Sequence, residues 1–268
     1  MAKISNGEVL GQKLSDIFFG FLKDPSSKLV RGTAFQKIGP FVGAFKNGAN
    51  IDDKIIQFYI TTIANSKNKD VCYHASFNLP AFIYVFGPEN WPRFQQIYSK
   101  VANFNDVRIK ITLSASLHEL AKILGRKYTE EDLLPCLDSF LSDPHPDIRI
   151  KALENIHKIL EVISPGQREL FIPHIVLNQN VTSDWRIRQV LAMNLGNYAK
   201  LFDADTVYKE FLPMFFKFCA DSFNAVQKAA CSGLAPMLSK FDDDELKQAG
   251  IARVIRRNYF KGQTFRKR

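Results

Sequence analysis

The sequence predicts an all-α solenoid, a right-handed superhelix built from about six helical hairpins. Three observations lead to this class. A short phrase with one branched residue, usually followed by Arg, recurs at a regular interval along the whole chain. Apolar residues follow each copy at helical spacing, and an apolar stretch of helical length precedes each copy. A single hairpin of this kind cannot bury its own apolar surface, so stacking neighbouring hairpins is what forms the core.

The recurring phrase is clearest in the segment DPHPDIRIKALENI, which runs from Asp143 to Ile156. Aligning the copies on their branched residue gives six anchors: Val30, Val71, Val107, Ile148, Ile187 and Val226. Successive anchors lie at intervals of 41, 36, 41, 39 and 39 along the chain, and four of them are followed by Arg. A repeat of this length is typical of HEAT units, each of which consists of two antiparallel helices.

The second helix of each unit is predicted by the residues that follow its anchor. In the fourth copy, Ala152, Ile156 and Ile159 lie four, eight and eleven positions after the anchor. Steps of four, four and three keep side chains on one stripe of an α-helix. The first helix is predicted by the preceding apolar stretch, such as EDLLPCLDSFL, and a polar turn such as SDPHPD joins the two helices.

The whole chain, residues 1–268, is predicted to form one array with no linker between domains. The expected repeats are roughly 8–46, 52–87, 91–125, 130–164, 168–203 and 206–241, followed by a partial or capping repeat at 243–268. That last segment places its acids before its cations, which suits a helix dipole. It is predicted to be a first helix without a partner, as in a segment of a longer solenoid or an atypical end cap.

Composition and charge narrow the functional classes. Apolar residues form 46% of the chain, which is ample for a continuous core. The formal net charge is +9, but residues 250–268 hold seven basic residues and no acid, which leaves 9 − 7 = +2 for the remainder. The sequence has no apolar run of transmembrane length and no secretory-signal pattern. Its four cysteines form no CxxC pair, which favours reduced thiols and a cytoplasmic or nuclear location.

The residue types that carry enzyme chemistry are not arranged for it. The segment HELAK, from His118 to Lys122, differs from a zinc-binding HExxH motif at Lys122, and a protonated lysine does not ligate zinc. His118 also lies eleven positions after an anchor, which favours a core or groove position. The sequence contains no phosphate-binding loop, dinucleotide fingerprint or nucleophile elbow. We therefore expect no enzymatic activity, no catalytic residue, no metal site and no cofactor.

Charged residues recur around the predicted turns. They comprise Arg31, Arg108, Arg149 and Arg188, with Asp143 and Asp221 as acids. An acid and an arginine in adjacent turns are able to bond between neighbouring repeats and so set their stacking angle. We interpret this set as a structural inter-repeat ladder. The alternative, a row of exposed cations that binds a ligand, is less favoured.

One turn has a different character from the others. The segment TSDWRIRQV, residues 182–190, places Trp185 two positions before the anchor Ile187, where most other repeats have a polar residue or Pro. Trp and Arg are enriched at interface hot spots, so this turn is a candidate partner-binding site. The alternative is that Trp185 folds back on a neighbouring repeat, and composition leaves both interpretations open.

The segment from Asn105 to Ile156 resembles the HEAT region of the protein phosphatase 4 regulatory subunit 1 family, mainly in SLHELAKILG and TEEDLLPCLDSFL. The segment SDWRIRQVLAMNL resembles a repeat of the scaffold A subunit of protein phosphatase 2A. The resemblance covers roughly Asp70 to Phe241. It implies a non-catalytic scaffold that binds a serine/threonine phosphatase catalytic subunit and positions it for substrates.

The resemblance also implies where the catalytic subunit binds. In the phosphatase 2A scaffold the contacts lie on intra-repeat turns and include a Trp-Arg pair. The matching partner-binding residues are Asp184, Trp185 and Arg186, with Phe223 and Asn224 in the following turn. Gln227 departs from the pattern, because Arg usually follows the anchor. Any metal would then belong to the active site of the partner.

A second function is an adaptor that binds nucleic acid or another protein through the basic C-terminal segment. Base stacking there would depend on Tyr259, Phe260 and Phe265 alone, so nucleic acid is disfavoured. A cargo receptor for basic segments would need acidic patches on its inner face, and none is evident. Besides the catalytic subunit, we expect substrates or additional regulatory proteins as partners, and no membrane association.

Overall fold

The computed structural model describes residues 2–45, 51–181 and 184–241. Within these ranges the chain is formed by helices, turns and bends, without a strand. None of the helices in this part of the chain is long and apolar enough to cross a membrane. The chain divides into two compact units, Met1–Cys136 and Leu137–Arg268. The predicted repeat at 243–268, together with the basic C-terminal segment, lies outside the described residues.

The first unit contains hairpins one to three. In hairpin one, α1 (Ala2–Leu22) is followed by α2 (Lys28–Gln36) and α3 (Ile38–Gly43). Hairpin two consists of α4 (Asp53–Asn65) and α5 (Lys69–Phe86), and after a 3-10 turn hairpin three consists of α6 (Trp91–Ala102) and α7 (Val107–Tyr128). A π-helical turn, Thr129–Leu133, leads into α8 (Leu134–Leu141). Each hairpin joins two helices through a short polar turn, as the sequence predicts.

The second unit begins within α8 and contains the rest of hairpin four and hairpins five and six. Hairpin four is completed by α9 (Pro146–Val162) after α8. Hairpin five contains α10 (Pro165–Glu169), α11 (Ile172–Val181) and α12 (Trp185–Leu201). Hairpin six contains α13 (Ala204–Thr206), a π-helical turn over Val207–Phe211, α14 (Leu212–Cys219) and α15 (Asn224–Leu238). The described residues therefore form six hairpins.

The second helix of every described hairpin begins at the same distance from its anchor. The residue that caps it lies three positions before the branched anchor, which is buried in hairpins three to six and half-buried at Val30 and Val71. The N-cap residues are Ser27, Asn68, Asp106, His145, Asp184 and Phe223. The first five accept a hydrogen bond from a backbone N–H in the first turn, whereas Phe223 has no side-chain acceptor. Such a cap typically stabilises a helix by about 1 kcal/mol, so five of these starts are fixed locally.

The prediction that Val107 is the anchor of hairpin three is wrong by two positions. Val107 is 41% exposed, whereas Ile109 is fully buried, and Leu113 and Leu117 continue its stripe in the core. Asp106 lies three positions before Ile109, which matches the cap position of the other hairpins. With Ile109 as anchor the intervals become 41, 38, 39, 39 and 39, a more regular series. Val107 was misleading because it is branched and is followed by an arginine.

Two buried asparagines join neighbouring hairpins at equivalent positions. Asn78 donates from Nδ2 to the carbonyl oxygen of Phe35 at 3.3 Å, and Asn194 donates to that of Leu153 at 3.2 Å. Each asparagine lies seven positions after its anchor, and each carbonyl lies five positions after the anchor of the preceding hairpin. Because an unpaired buried amide is costly, these bonds specify the register of one hairpin on the next.

The helices α12 and α15 approach each other closely at a glycine. A Cβ atom added at Gly233 would lie 2.9 Å from the Cβ of Leu195, so a larger residue would force the helices apart. The starts of the two helices, at Trp185 and Asn224, therefore belong to hairpins that are packed tightly together. This packing positions the turns that the sequence singled out.

Candidate partner-binding edge

Trp185 is the first residue of α12, and its position is fixed by the cap before it. Asp184 accepts a hydrogen bond from the backbone N–H of Arg186 at 2.9 Å and one from the guanidinium Nη2 of the same residue at 2.8 Å. The bonds from Arg186, opposed by partial burial, hold the pKa of Asp184 below its usual value. The turn therefore presents the indole from a helix start with a charged, well-bonded cap.

The indole of Trp185 stacks on the phenyl ring of Phe223 in the next hairpin. The ring centroids are 5.6 Å apart and the planes differ by 13°. Trp185 is half-buried, Phe223 is 44% exposed, and Asn224 beside it is exposed. Trp185 thus contacts the neighbouring hairpin while part of both rings remains accessible. We call Trp185 and Phe223 the aromatic pair.

A largely buried ion pair adjoins the aromatic pair and joins the same two hairpins. Arg188 donates from Nε to the carboxylate of Asp221 at 2.6 Å and from Nη2 at 3.2 Å. The guanidinium carbon lies 5.8 Å from the ring centroid of Phe223, which adds a cation–π contact. Burial alone would raise the pKa of Asp221, but bonds from Arg188 and the backbone N–H of Phe223 lower it below its usual value. The carboxylate is therefore ionised and holds both Arg188 and the turn that carries Phe223.

Arg186 extends these contacts to the preceding hairpin. Its Nη1 lies 3.0 Å from the carboxylate of Asp147 in α9, and both side chains are nearly half exposed. Arg108 makes the equivalent contact in the first unit, with Nη2 3.3 Å from the carboxylate of Asp70. In the corrected register all four residues lie one position before an anchor. The two pairs are therefore one repeated arrangement, present once in each unit.

The remaining predicted ladder residues bond within their own hairpins. Arg31 donates to the backbone oxygen of Asp24 at 2.6 Å, and Arg149 donates to that of Asp143 at 2.7 Å. Gln227 makes the same kind of bond, to the backbone oxygen of Asp221 at 2.6 Å. An amide replaces arginine there because the bond needs only a donor. The side chain of Asp143 is buried and accepts from the backbone N–H of His145 at 2.9 Å.

Sequence reasoning missed the acids that pair with the exposed arginines. Asp70 precedes Arg108, and Asp147 precedes Arg186, by one repeat length in each case. A search for opposite charges one repeat apart would have found both pairs. The assignment of Val107 as an anchor obscured the pair of Asp70 and Arg108. It made Arg108 equivalent to Arg188, whereas the structure makes it equivalent to Arg186.

The described residues bring together no group of three or more His, Cys, Asp or Glu side chains able to hold a metal ion. The cysteines within them, Cys72, Cys136, Cys219 and Cys231, form no disulfide. Burial raises the pKa of the Cys136 thiol to about 11, so this group is a neutral thiol at physiological pH. The turn edge combines accessible aromatic faces with oriented charges.

The stacked hairpins and their exposed turn edge define a protein of the α-solenoid class. Cex1p aligns with 92% of this chain and 48% of its own length, with a TM-score of 0.64 and 17% identity. A computationally designed armadillo repeat protein for modular peptide recognition aligns with 82% of this chain and 98% of its own, with a TM-score of 0.53 and 14% identity. At these identities the likeness concerns the fold alone. The predicted all-α repeat class is confirmed.

Sequence similarity is more specific. Residues 75–179 match the family model described as the protein phosphatase 4 regulatory subunit 1 middle domain. Serine/threonine-protein phosphatase 4 regulatory subunit 1 of Homo sapiens and that of Mus musculus are each 27% identical over 179 residues, which is 66% of this chain. The chain spans 19% of the length of these relatives. The predicted resemblance to this family is confirmed, while the aromatic pair lies beyond the segment that the family model matches.

Proposed function

We propose that this chain is a regulatory scaffold segment that binds the catalytic subunit of a serine/threonine phosphatase of the phosphatase 4 type. Similarity to phosphatase 4 regulatory subunit 1 supports the class of partner. The geometry of the turn edge in hairpins five and six supports the place of binding. In this proposal the chain holds the catalytic subunit in place and takes no part in the chemical reaction.

The aromatic pair is the observation that carries the proposal. A half-buried indole stacked at 5.6 Å on an exposed phenyl ring offers a rigid apolar surface, since each ring is held by the other. Large aromatic side chains that are already ordered lose little conformational entropy on binding. Trp and Arg, which adjoin here at Trp185 and Arg186, are the residue types most enriched at interface hot spots.

The surrounding charges orient this surface. Arg186 is held by Asp147 and Asp184, and Arg188 is held by Asp221 beside the rings. Arg186 is exposed, so the N–H groups of its guanidinium that do not bond Asp147 or Asp184 are accessible. Carboxylates or carbonyls of a partner would accept hydrogen bonds from them. Asn224, exposed at the start of α15, supplies a further polar contact at the rim.

The mechanism that follows is positional. A solenoid that holds the catalytic subunit at one edge and a substrate elsewhere raises their effective concentration without entering the chemistry. Any metal ions that such a reaction requires would be held by the catalytic subunit. The same proposal includes substrates or further regulatory proteins as additional partners, and a cytoplasmic or nuclear setting.

The test is calorimetric binding of the purified chain to the phosphatase 4 catalytic subunit. Trp185→Ala removes the indole, and we expect it to cost about 2 kcal/mol, or about thirtyfold in Kd. Tyr84→Ala is the matched control, because Tyr84 is an aromatic residue that is 73% exposed on α5 in the first unit. We expect this control to bind as the wild type does.

Binding that survives Trp185→Ala unchanged would reject the aromatic pair as the anchor while retaining the class of partner. Absence of binding by the well-folded wild-type chain would reject the phosphatase proposal for this segment. Circular dichroism of each variant confirms the helical fold before binding is compared.

A further inference from the structure

The turn edge between hairpins one and two is built in the same register as the edge that carries the aromatic pair. Lys28 is the first residue of α2, as Trp185 is of α12, and Asn68 caps α5, as Phe223 caps α15. Neither Lys28 nor Asn68 carries a ring. Consequently the space that the stacked rings occupy between hairpins five and six has no aromatic filling between hairpins one and two.

That space is an open groove with a volume of ≈ 720 Å³, which we call the hairpin 1–2 groove. Its lining includes Lys28, Asn68 and the apolar side chains of Leu29, Phe35 and Phe58. Leu29 is 79% exposed, so its apolar side chain faces solvent at the rim of the groove. The volume lies within the range of about 300–1,000 Å³ that is typical of ligand-binding clefts.

The charge at the rim of the groove is positive. Among the described residues, Lys28 and Arg31 make no ion pair with a carboxylate, although both line the groove. Arg31 is oriented by its bond to the backbone oxygen of Asp24. Asp70, the acid in the lining, is paired with Arg108 at 3.3 Å. Because Asp70 pairs with Arg108, the cations Lys28 and Arg31 outweigh the one acid in the lining, although the carboxylate of Asp24 attracts Arg31 from the adjoining turn.

We propose that the hairpin 1–2 groove binds an extended acidic peptide segment that inserts one apolar side chain. The apolar side chain would contact Leu29 and Phe58, in the place that Trp185 occupies in the equivalent groove of hairpins five and six. Carboxylates on either side of it would pair with Lys28 and Arg31. This inference does not rest on the phosphatase proposal and remains testable if that proposal fails.

The dimensions and the chemistry favour a peptide over other ligands. A small anion would satisfy the cations but leave the exposed Leu29 and the apolar floor uncovered. A purely apolar segment would bring no carboxylate to Lys28, which makes no ion pair among the described residues, and would cover part of the solvent around its charge. An acidic segment with one apolar residue satisfies both features, and its extended backbone fits a groove between two helix starts.

The probe is a short fluorescein-labelled peptide in which one leucine is flanked on each side by two glutamates. Its binding to the whole chain is followed by fluorescence anisotropy. Lys28→Glu reverses the exposed charge at the rim, and we expect it to weaken binding about tenfold, equivalent to ~1.4 kcal/mol. Lys158→Glu is the matched control, since Lys158 is exposed on α9 in the other unit and does not line the groove.

We expect the control to change Kd less than about twofold, and replacement of the peptide leucine by alanine to weaken binding about tenfold. Equal losses in Lys28→Glu and Lys158→Glu would overturn the proposal, because they would indicate attraction by net charge alone. It would also be overturned if wild-type chain failed to bind the peptide, or if a single-stranded oligonucleotide of equal charge competed as well as the peptide itself.

Discussion

The hairpin 1–2 groove and the edge of hairpins five and six share a backbone register but differ in what fills them. In the second unit the chain supplies Trp185 and Phe223, and their rings stack across the gap between hairpins. In the first unit Lys28 and Asn68 occupy the equivalent places, and the gap is open. Between these two edges, the side chains at two equivalent positions differ, and one interface is filled by rings while the other is open. The repeat fixes the scaffold, while these variable turn positions determine the surface.

The largest expected effect concerns the packing that holds the closed edge together. Gly233→Val would place side-chain atoms against Leu195, since even a Cβ there lies 2.9 Å from the Cβ of that residue. Overpacking of this kind costs about 1–3 kcal/mol, so the urea midpoint should fall clearly. Gly20→Val is the control, because a Cβ at Gly20 meets no atom within 4 Å. Equal stability of the two variants would contradict the close contact of α12 and α15.

The ion pair between Arg188 and Asp221, which is largely buried, should have the next largest effect. Asp221→Ala removes the carboxylate that Arg188 bonds twice, in a site where the side chains of Arg188 and Asp221 are 16% and 8% exposed. We expect a loss of about 2 kcal/mol in the free energy of unfolding. Asp205→Ala is the control, because Asp205 is exposed and pairs with Lys209, which is exposed as well. The control should be indistinguishable from wild type in a urea titration.

The same carboxylate has a signature in the pH dependence of stability. The pKa of Asp221 is lowered in the folded state, so its contribution is present above the unfolded pKa of about 3.9 and is lost as the pH falls through the folded value. Wild type should therefore lose more stability than Asp221→Ala as the pH falls below about 4. Thermal melts at a series of pH values test this. If the melting temperatures of the two proteins fell by the same amount below a pH of about 4, the role of this pair would be contradicted.

Exchanging the two edges tests the comparison itself. In the double variant Lys28→Trp with Asn68→Phe, two aromatic side chains would fill the groove. We therefore expect the affinity of the variant for the acidic peptide to fall at least about tenfold. The lost cap at Asn68 costs about 1 kcal/mol, which the new aromatic contact partly offsets. Retained peptide affinity in the folded double variant would show that the groove is not the binding site.

The smallest effect is expected for the exposed ion pairs that repeat in the two units. Arg108 and Asp70 are both more than half exposed, and such pairs contribute little because water and salt screen them. Arg108→Ala should leave the thermal midpoint of the chain within experimental error at physiological salt. A clear fall in that midpoint would mean that the pair does more than orient the turn.

The hairpins were predictable because their signal is local and periodic. Anchors, apolar stripes and polar turns recur at one spacing, and the second helices begin after those turns. At hairpin three the sequence pattern is ambiguous, because Val107 is branched and precedes Arg, whereas the cap at Asp106 and the buried Ile109 define the register. The position of the helix start is the stronger physical constraint there.

The contacts between hairpins were harder to predict, since they depend on how one repeat packs on the next. Trp185 was recognised as unusual, but its stacking on Phe223 requires two helix starts, one repeat length apart in the sequence, to lie side by side. The bonds from Asn78 and Asn194 to backbone carbonyls are not predicted by the spacing of apolar residues. In the sequence, the only sign of the hairpin 1–2 groove is that Lys28 and Asn68 stand at the positions where hairpins five and six have the aromatic residues Trp185 and Phe223.

The most direct test of the proposed binding edge is hydrogen–deuterium exchange of the chain with and without the phosphatase 4 catalytic subunit. We expect protection of backbone amides at 184–189 and 223–228, where α12 and α15 begin, and unchanged exchange at 28–33 beside the open groove. Protection confined to hairpins one and two, with none around Trp185 and Phe223, would contradict the assignment of the aromatic pair as the surface that binds the catalytic subunit.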